Sequence, residues 1–76
     1  MVNFIYHFSH PKFTSCDYRI TQFTDGTPFQ VFSMGDVLIG TIHKGQYGWE
    51  QNSGREMLQE MVEAFGKHID DNGLWT

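Results

Sequence analysis

Histidine and cysteine side chains are the residues of this chain that could ligate a metal. His7 and His10 are three residues apart, Cys16 follows them, and His43 lies on a later segment. Both residue types are the usual ligands of zinc. However, the spacing matches no established zinc pattern, and on one strand His7 and His10 would point to opposite faces. We therefore predict no metal site and no cofactor.

Cys16 is also a candidate nucleophile, with a histidine as its general base. No basic residue adjoins it to favour a thiolate, and the carboxylate of Asp17 disfavours one. The sequence contains no G-x-S-x-G motif, no phosphate-binding glycine loop and no paired carboxylates at a diagnostic spacing. We therefore predict a protein that is not an enzyme.

Tyr47 and Trp49 are the candidate ligand-binding residues. Gly48 lies between them and would leave both rings accessible beside the polar segment 50–52. Aromatic side chains at the end of a strand can hold a ligand or anchor an interface. The alternative is that Trp49 packs over the end of a helix as part of the core.

The clearest element that would position these residues is a helix between Asn52 and Gly73. Ser53 is placed to cap its start, and Glu56 completes a capping box. Asn72 and Gly73 provide a left-handed stop. Apolar residues recur between these signals at the spacing of one helical face. They are Met57, Leu58, Met61, Val62, Phe65 and Ile69.

Residues 2–50 predict an antiparallel sheet on which this helix can pack. Apolar and polar residues alternate, and turn signals occur at Asp25-Gly26, Gly35-Asp36 and Lys44-Gly45. The predicted strands are Phe4–Phe8, Tyr18–Phe23, Phe29–Met34, Val37–Ile42 and Gln46–Glu50, with a loop over 10–17. Short connections imply a meander. We predict one α+β domain over residues 1–76: four or five antiparallel strands, then one C-terminal helix on one sheet face.

Alternation divides the strand residues between two faces, only one of which the helix can cover. The predicted helix-facing set is Phe4, Tyr6, Phe8, Tyr18, Ile20, Phe29, Val31, Val37 and Ile39. The other face still holds more apolar residues than a solvated antiparallel face should. We predict an interface there with a protein partner or with a second copy of the chain, formed by Ile5, Phe32, Leu38 and Ile42. The alternative is that a register shift, a bulge or the tail residues 74–75 cover these side chains.

The net charge of −4 is unevenly distributed along the chain. Residues 1–52 carry three basic and four acidic side chains, whereas residues 53–76 carry two basic and five acidic ones. An acidic chain without a basic cluster is a poor ligand for nucleic acid. On the helix, the charged residues predict an exposed stripe that is either plain solvated surface or a face for a basic partner. The stripe consists of Glu56, Glu60, Glu63, Lys67 and Asp70, with a favourable pair between Glu63 and Lys67.

The order of strand, strand, strand and helix from Tyr18 to Asp70 resembles that of HicB-type antitoxins. The small acidic domains of that family pair with a basic ribonuclease toxin. The chain departs from the family in lacking a proline- and cysteine-containing segment between the second and third strands. The resemblance implies a toxin-neutralising inhibitor as one alternative function, and no residue role is carried over.

Composition also bears on location and partners. The single cysteine excludes an internal disulfide, which favours a reducing compartment. Residues 1–7 lack the pattern of a secretory signal, and no apolar run approaches the roughly 18 residues that span a bilayer. We predict a cytoplasmic protein without nucleic-acid or membrane partners, which binds a protein or its own copy. A small-ligand or metal-binding domain is the alternative from a different class.

Overall fold

The structure, a computed structural model, describes residues 2–11 and 13–74, without the side chains of residues 10, 13 and 14. It contains five strands and one helix: β1 (Val2–His10), β2 (Phe13–Gln22), β3 (Phe29–Ser33), β4 (Leu38–Gly45), β5 (Gly48–Gly54) and α1 (Gln59–Asp71). The strands form one antiparallel sheet in chain order, so β1 and β5 are its edges. The predicted α+β architecture is confirmed.

The core lies between α1 and one face of the sheet, which we call the helix face; the other is the open face. Phe65 of α1 is fully buried, and its ring centroid lies 5.5 Å from those of both Tyr6 and Tyr18. Every predicted helix-facing residue except Val37 lies in this core or packs against it. The buried apolar residues are Ile20, Phe29, Val31, Ile42, Trp49, Met57, Met61, Val62, Phe65 and Ile69.

A bulge in β4 changes which of its residues face the helix. The pairing of β3 with β4 shifts between Val31 and Phe32 and leaves Ile39 as an extra residue. Ile39 and Ile42 consequently both pack on the helix face, although simple alternation separates them. The prediction that Ile42 lies on the open face is wrong, because its side chain is fully buried. Val37, predicted to face the helix, precedes β4 and is 49% exposed.

The helix begins later than predicted, at Gln59. Ser53 belongs to β5, where its hydroxyl lies 2.8 Å from that of Thr41 in a hydrogen bond. The residue at the helix N-cap is Leu58, which makes no side-chain capping bond. The predicted capping box of Ser53 and Glu56 is therefore wrong: pairing of β5 with β4 engages Ser53 instead.

The end of the helix follows the prediction. Asn72 is the C-cap residue, and Gly73 has a φ of 59°, in the left-handed region. The backbone N–H and the side-chain amide of Asn72 both donate to the carbonyl of His68. Leu74 then packs against the core.

Four strands, β1, β2, β4 and β5, are longer than predicted. β4 includes Lys44 and Gly45, so the turn predicted there lies at 46–47 instead. β2 begins at Phe13, so most of the segment expected to be a loop over 10–17 is strand. β5 continues to Gly54, where it lies opposite Gly40 of β4. A Cβ on Gly40 would lie 2.5 Å from the carbonyl oxygen of Ser53, so the two backbones approach too closely for a side chain there.

Candidate protein-interaction surface

The open face is organised in rows of side chains that run across the strands. Pairing partners in the central row are Ile5, Arg19, Phe32 and Leu38, one from each of β1 to β4. The adjacent row is polar in every strand: Asn3, Thr21, Gln30, Thr41 and Ser53. The open face is therefore more polar than predicted, and the apolar side chains of these two rows all lie in the central one.

The guanidinium of Arg19 lies over the ring of Phe32. Its guanidinium carbon lies 4.5 Å from the ring centroid, a cation–π contact. The same guanidinium donates a hydrogen bond of 2.8 Å to the carboxylate of Asp36. Asp36 has a φ of 61°, a conformation that aspartate tolerates better than most residues. We call Arg19, Phe32 and Asp36 the platform.

Apolar side chains are exposed beside the platform, at the end of the β3–β4 hairpin. Leu38 is 49% exposed and pairs with Phe32, while Met34 and Val37 in the connecting turn are 59% and 49% exposed. We call Phe32, Met34 and Leu38 the hairpin patch. Val37 is not part of it, because its carbonyl accepts from the N–H of Ser33, which pairs with the helix-facing Tyr18. Ile5, on the far side of Arg19, is 53% exposed. Of the predicted interface residues, Ile5, Phe32 and Leu38 thus lie on the open face.

The histidines are separated by the fold. His7 of β1 lies 2.6 Å from the carboxylate of Asp17, and His43 of β4 lies 3.1 Å from that of Glu50. Each histidine therefore faces a carboxylate on its neighbouring strand. Within the described part of the chain, no group of three or more histidine, cysteine, aspartate or glutamate side chains could hold a metal. The side chain of His10 lies outside the described residues.

Cys16 is an exposed free thiol on β2, opposite Phe8 of β1. Burial raises the pKa of Tyr18 above its ordinary value of 10.0, and the neighbouring Cys16 raises it further. His7 pairs with the next residue along β2, so it projects from the opposite face of the sheet. The register therefore does not bring Cys16 and His7 together as nucleophile and base.

The structure separates the two candidate ligand-binding aromatics. Tyr47 is 94% exposed in the β4–β5 turn, whereas Trp49 is 8% exposed. The ring of Trp49 packs edge-on against Phe29 at 5.7 Å, and its indole N–H donates to Asp70 at 3.0 Å. A Cβ on Gly66 would lie 2.1 Å from Trp49 Cγ, so α1 touches the indole directly. Trp49 thus has the core position considered as the alternative.

A cavity of about 210 Å³ lies beside Trp49. Gln22 lines it and is 2% exposed; its side-chain amide donates to the carbonyl of Thr27 at 3.0 Å. Its Oε1 accepts no hydrogen bond from any described residue, although buried polar atoms normally have a partner. The other lining residues are Gly26, Thr27, Pro28, Phe29, His43 and Lys44. No motif in the sequence marks Gln22, because its burial depends on strand pairing.

The acidic stripe predicted on the helix is divided in the structure. Glu56 precedes α1, and Asp70 lies 3.1 Å from the ammonium of Lys44 on β4. Lys67 pairs with Asp71 at 2.5 Å, and this hydrogen bond raises the pKa of Lys67 above 10.5. The stripe is therefore not a continuous acidic face on one helix.

No protein-family model matches the chain, and neither the comparison with curated proteins nor that with solved structures found a match. Within residues 2–11 and 13–74, no helix is both long and apolar enough to cross a membrane.

Proposed function

We propose that this chain is a small, non-catalytic protein-interaction domain whose open face binds another protein. The observation that carries the proposal is the hairpin patch beside the platform. Its two exposed apolar side chains, Met34 and Leu38, belong to the same hairpin as Asp36, which forms an ion pair with Arg19. Burying this apolar area contributes about 25 cal/mol per Å² to the free energy of binding, before the translational and rotational entropy lost on association is subtracted.

The partner surface that fits is apolar at its centre and polar at its margin. The polar row next to the patch is internally hydrogen-bonded: Thr21 donates to Asn3 at 3.1 Å, and the hydroxyls of Thr41 and Ser53 are 2.8 Å apart. Such groups can border an interface without being left unpaired when water is excluded. This combination of an apolar centre and a polar rim is typical of protein interfaces.

The protein's place of action in this proposal is the cytoplasm. Its single cysteine, Cys16, is an exposed free thiol, and exposed thiols persist in a reducing compartment.

A photo-crosslinking amino acid at position 38 tests the proposal. In cells of the source organism, it should give an adduct with a specific protein, which mass spectrometry identifies. The matched control carries the same group at Glu63, an exposed position on the opposite, helical layer. We expect no specific adduct from the control.

Affinity between the purified proteins then provides the quantitative test. Leu38→Asp should weaken binding at least tenfold, about 1.4 kcal/mol, because it places a charge in the apolar contact. Glu63→Lys should leave binding unchanged. Equal adducts from both positions, or an unchanged affinity for a folded Leu38→Asp variant, would contradict the proposal.

A further inference from the structure

β1 is an edge strand, and no other strand among the described residues pairs with its outer side. An open edge offers backbone N–H and C=O groups to a further strand. Natural edges are usually protected by charged residues, proline or bulges. Residues 2–9 contain no aspartate, glutamate, lysine, arginine or proline. This edge is therefore chemically suited to pairing.

The side chains along β1 are also incompletely covered by the chain's own fold. The rings of Phe4 and Tyr6 lie against His68 of α1, with centroids 4.7 and 5.4 Å apart. Phe4, Tyr6 and Phe8 nevertheless remain partly exposed, and Ile5 on the open face is 53% exposed. A strand added beside β1 would cover apolar surface on both faces of the sheet.

β5, the opposite edge, carries protective features within its length, whereas the register shift of β1 on β2 lies at its end, between Phe8 and His10. Glu50 places an exposed charge near its centre. Its register on β4 shifts between Thr41 and Ile42, and its end residues Gly48 and Gly54 have φ values of 127° and 98°. These irregularities disfavour a regular pairing with another strand.

We propose that two copies of this chain associate by antiparallel pairing of β1 with β1. The pairing of β1 with β2 is regular from Val2 to Phe8, and Ile5 is the midpoint of that stretch. A two-fold axis through Ile5 places the two Ile5 side chains opposite each other. Phe4 then faces Tyr6 of the second copy, and Val2 faces Phe8. Apolar residues meet apolar residues, and no charged residue opposes another.

This pairing joins the two sheets without mixing their faces. A two-fold axis perpendicular to a sheet maps each face onto itself, so both helices lie on one side. Two five-stranded sheets become one of ten strands, with a continuous open face that carries two hairpin patches. The dimer contact involves only the β1 edge, so the dimer does not depend on binding of the open-face partner. Where that partner is itself multivalent, the dimer offers it two sites at once.

The length of the contact indicates a weak dimer. The regular stretch from Val2 to Phe8 spans roughly 23 Å at about 3.3 Å per residue. A single strand-to-strand contact of this size buries less than the roughly 1,200 Å² of a standard stable interface. We therefore expect a reversible equilibrium whose dimer fraction rises with protein concentration.

Analytical ultracentrifugation of the full chain over a hundredfold concentration range tests this inference. The wild-type mass should rise towards that of a dimer. Ile5→Lys places two ammonium groups opposite each other at the axis and should raise the dissociation constant at least tenfold. The matched control, Asn52→Lys, adds the same charge at an exposed position of the β5 edge and should leave the equilibrium unchanged. Thermal unfolding of both variants confirms that they fold.

Leu38→Asp distinguishes the edge from the open face, since Leu38 lies far from β1 in strand order. This variant should dimerise like the wild type even where it no longer binds the open-face partner. A wild-type monomer at every concentration would overturn the inference. So would a dimer that Ile5→Lys retains, or one that Asn52→Lys or Leu38→Asp disrupts equally.

Discussion

The two edges of this sheet are attached to the rest of the fold in different ways. On β5, Trp49 is buried between Phe29 and Gly66 and hydrogen-bonds to Asp70. On β1, the aromatic rings rest on α1 but keep part of their surface in solvent. The main aromatic side chain of β5 is thus buried by its own chain, whereas those of β1 leave apolar surface exposed. The comparison teaches that two edge strands with the same open backbone can differ in how much of their side-chain surface the fold buries.

A single side chain adds to the attachment of β5. The amide oxygen of Gln51 accepts a hydrogen bond of 2.9 Å from the backbone N–H of Met57. Its amide nitrogen donates to the carbonyls of Ser53, at 3.0 Å, and Arg55. Gln51 therefore holds the connection from β5 to α1 close to the edge strand. No described side chain of β1 makes a comparable set of bonds to the backbone.

The largest effect should come from removing the anchor of β5. Trp49→Ala should lower the free energy of unfolding by about 3–5 kcal/mol, as expected for a large buried aromatic. Phe4→Ala on β1 should lower it by only about 1–2 kcal/mol, because less apolar area is withdrawn from water there. Urea unfolding at low protein concentration measures both. Equal losses would abolish the distinction between the edges.

Overpacking the contact between α1 and Trp49 should have the next largest effect. Gly66→Ala introduces a methyl group that overlaps the indole, and we expect a loss of about 1–3 kcal/mol despite the better helix propensity of alanine. Gly35→Ala is the matched control, because a Cβ there meets no atom within 4 Å. Thermal or urea unfolding compares the variants. A neutral Gly66→Ala would show that Trp49 can move without loss.

Removing the hydrogen bonds of Gln51 should have a smaller effect. Gln51→Met keeps the side-chain length but leaves the N–H of Met57 without its acceptor, so we expect a loss of about 1–2 kcal/mol. Hydrogen exchange at that amide should accelerate. Gln46→Met, at an exposed position in the turn before β5, is the control and should change neither quantity. Unchanged exchange at Met57 would mean that the connection is held by other contacts.

The smallest effect concerns alkaline pH and the β1 side of the core. The pKa of Tyr18 is raised by burial and by Cys16, so the folded state favours the neutral phenol. The stability associated with this shift is complete below the unfolded pKa of about 10 and is lost as pH rises through the folded pKa. Lys67, whose pKa is also raised, contributes with the same sign.

Comparison with a variant isolates the contribution of Tyr18 to the loss of stability at alkaline pH. Tyr18→Phe should lose less stability than the wild type between about pH 9 and about pH 11, whereas Tyr47→Phe, at a 94% exposed position, should behave like the wild type. Urea midpoints at the two pH values measure this. An identical pH dependence in Tyr18→Phe would show that burial of this phenol has no thermodynamic consequence.

Local patterns predicted the element types but not all of their boundaries. The alternation of Phe4, Tyr6 and Phe8 identifies β1 and its helix-facing side, because a side-chain period of two follows from strand geometry alone. The capping signal at Ser53 failed because the same residue can pair in a strand, and the close approach of Gly40 and Gly54 allows β5 to extend that far.

The sequence by itself determined the order of strands and helix, the turns after β2 and β3 and the left-handed end at Gly73, because these depend on neighbouring residues. Tertiary structure decided that Ile42 is buried, that Trp49 belongs to the core and that Gln22 lies beside a cavity. Each of these depends on pairing register or on the path of α1 across the sheet. A one-residue bulge or a small shift of the helix changes them without altering any local pattern.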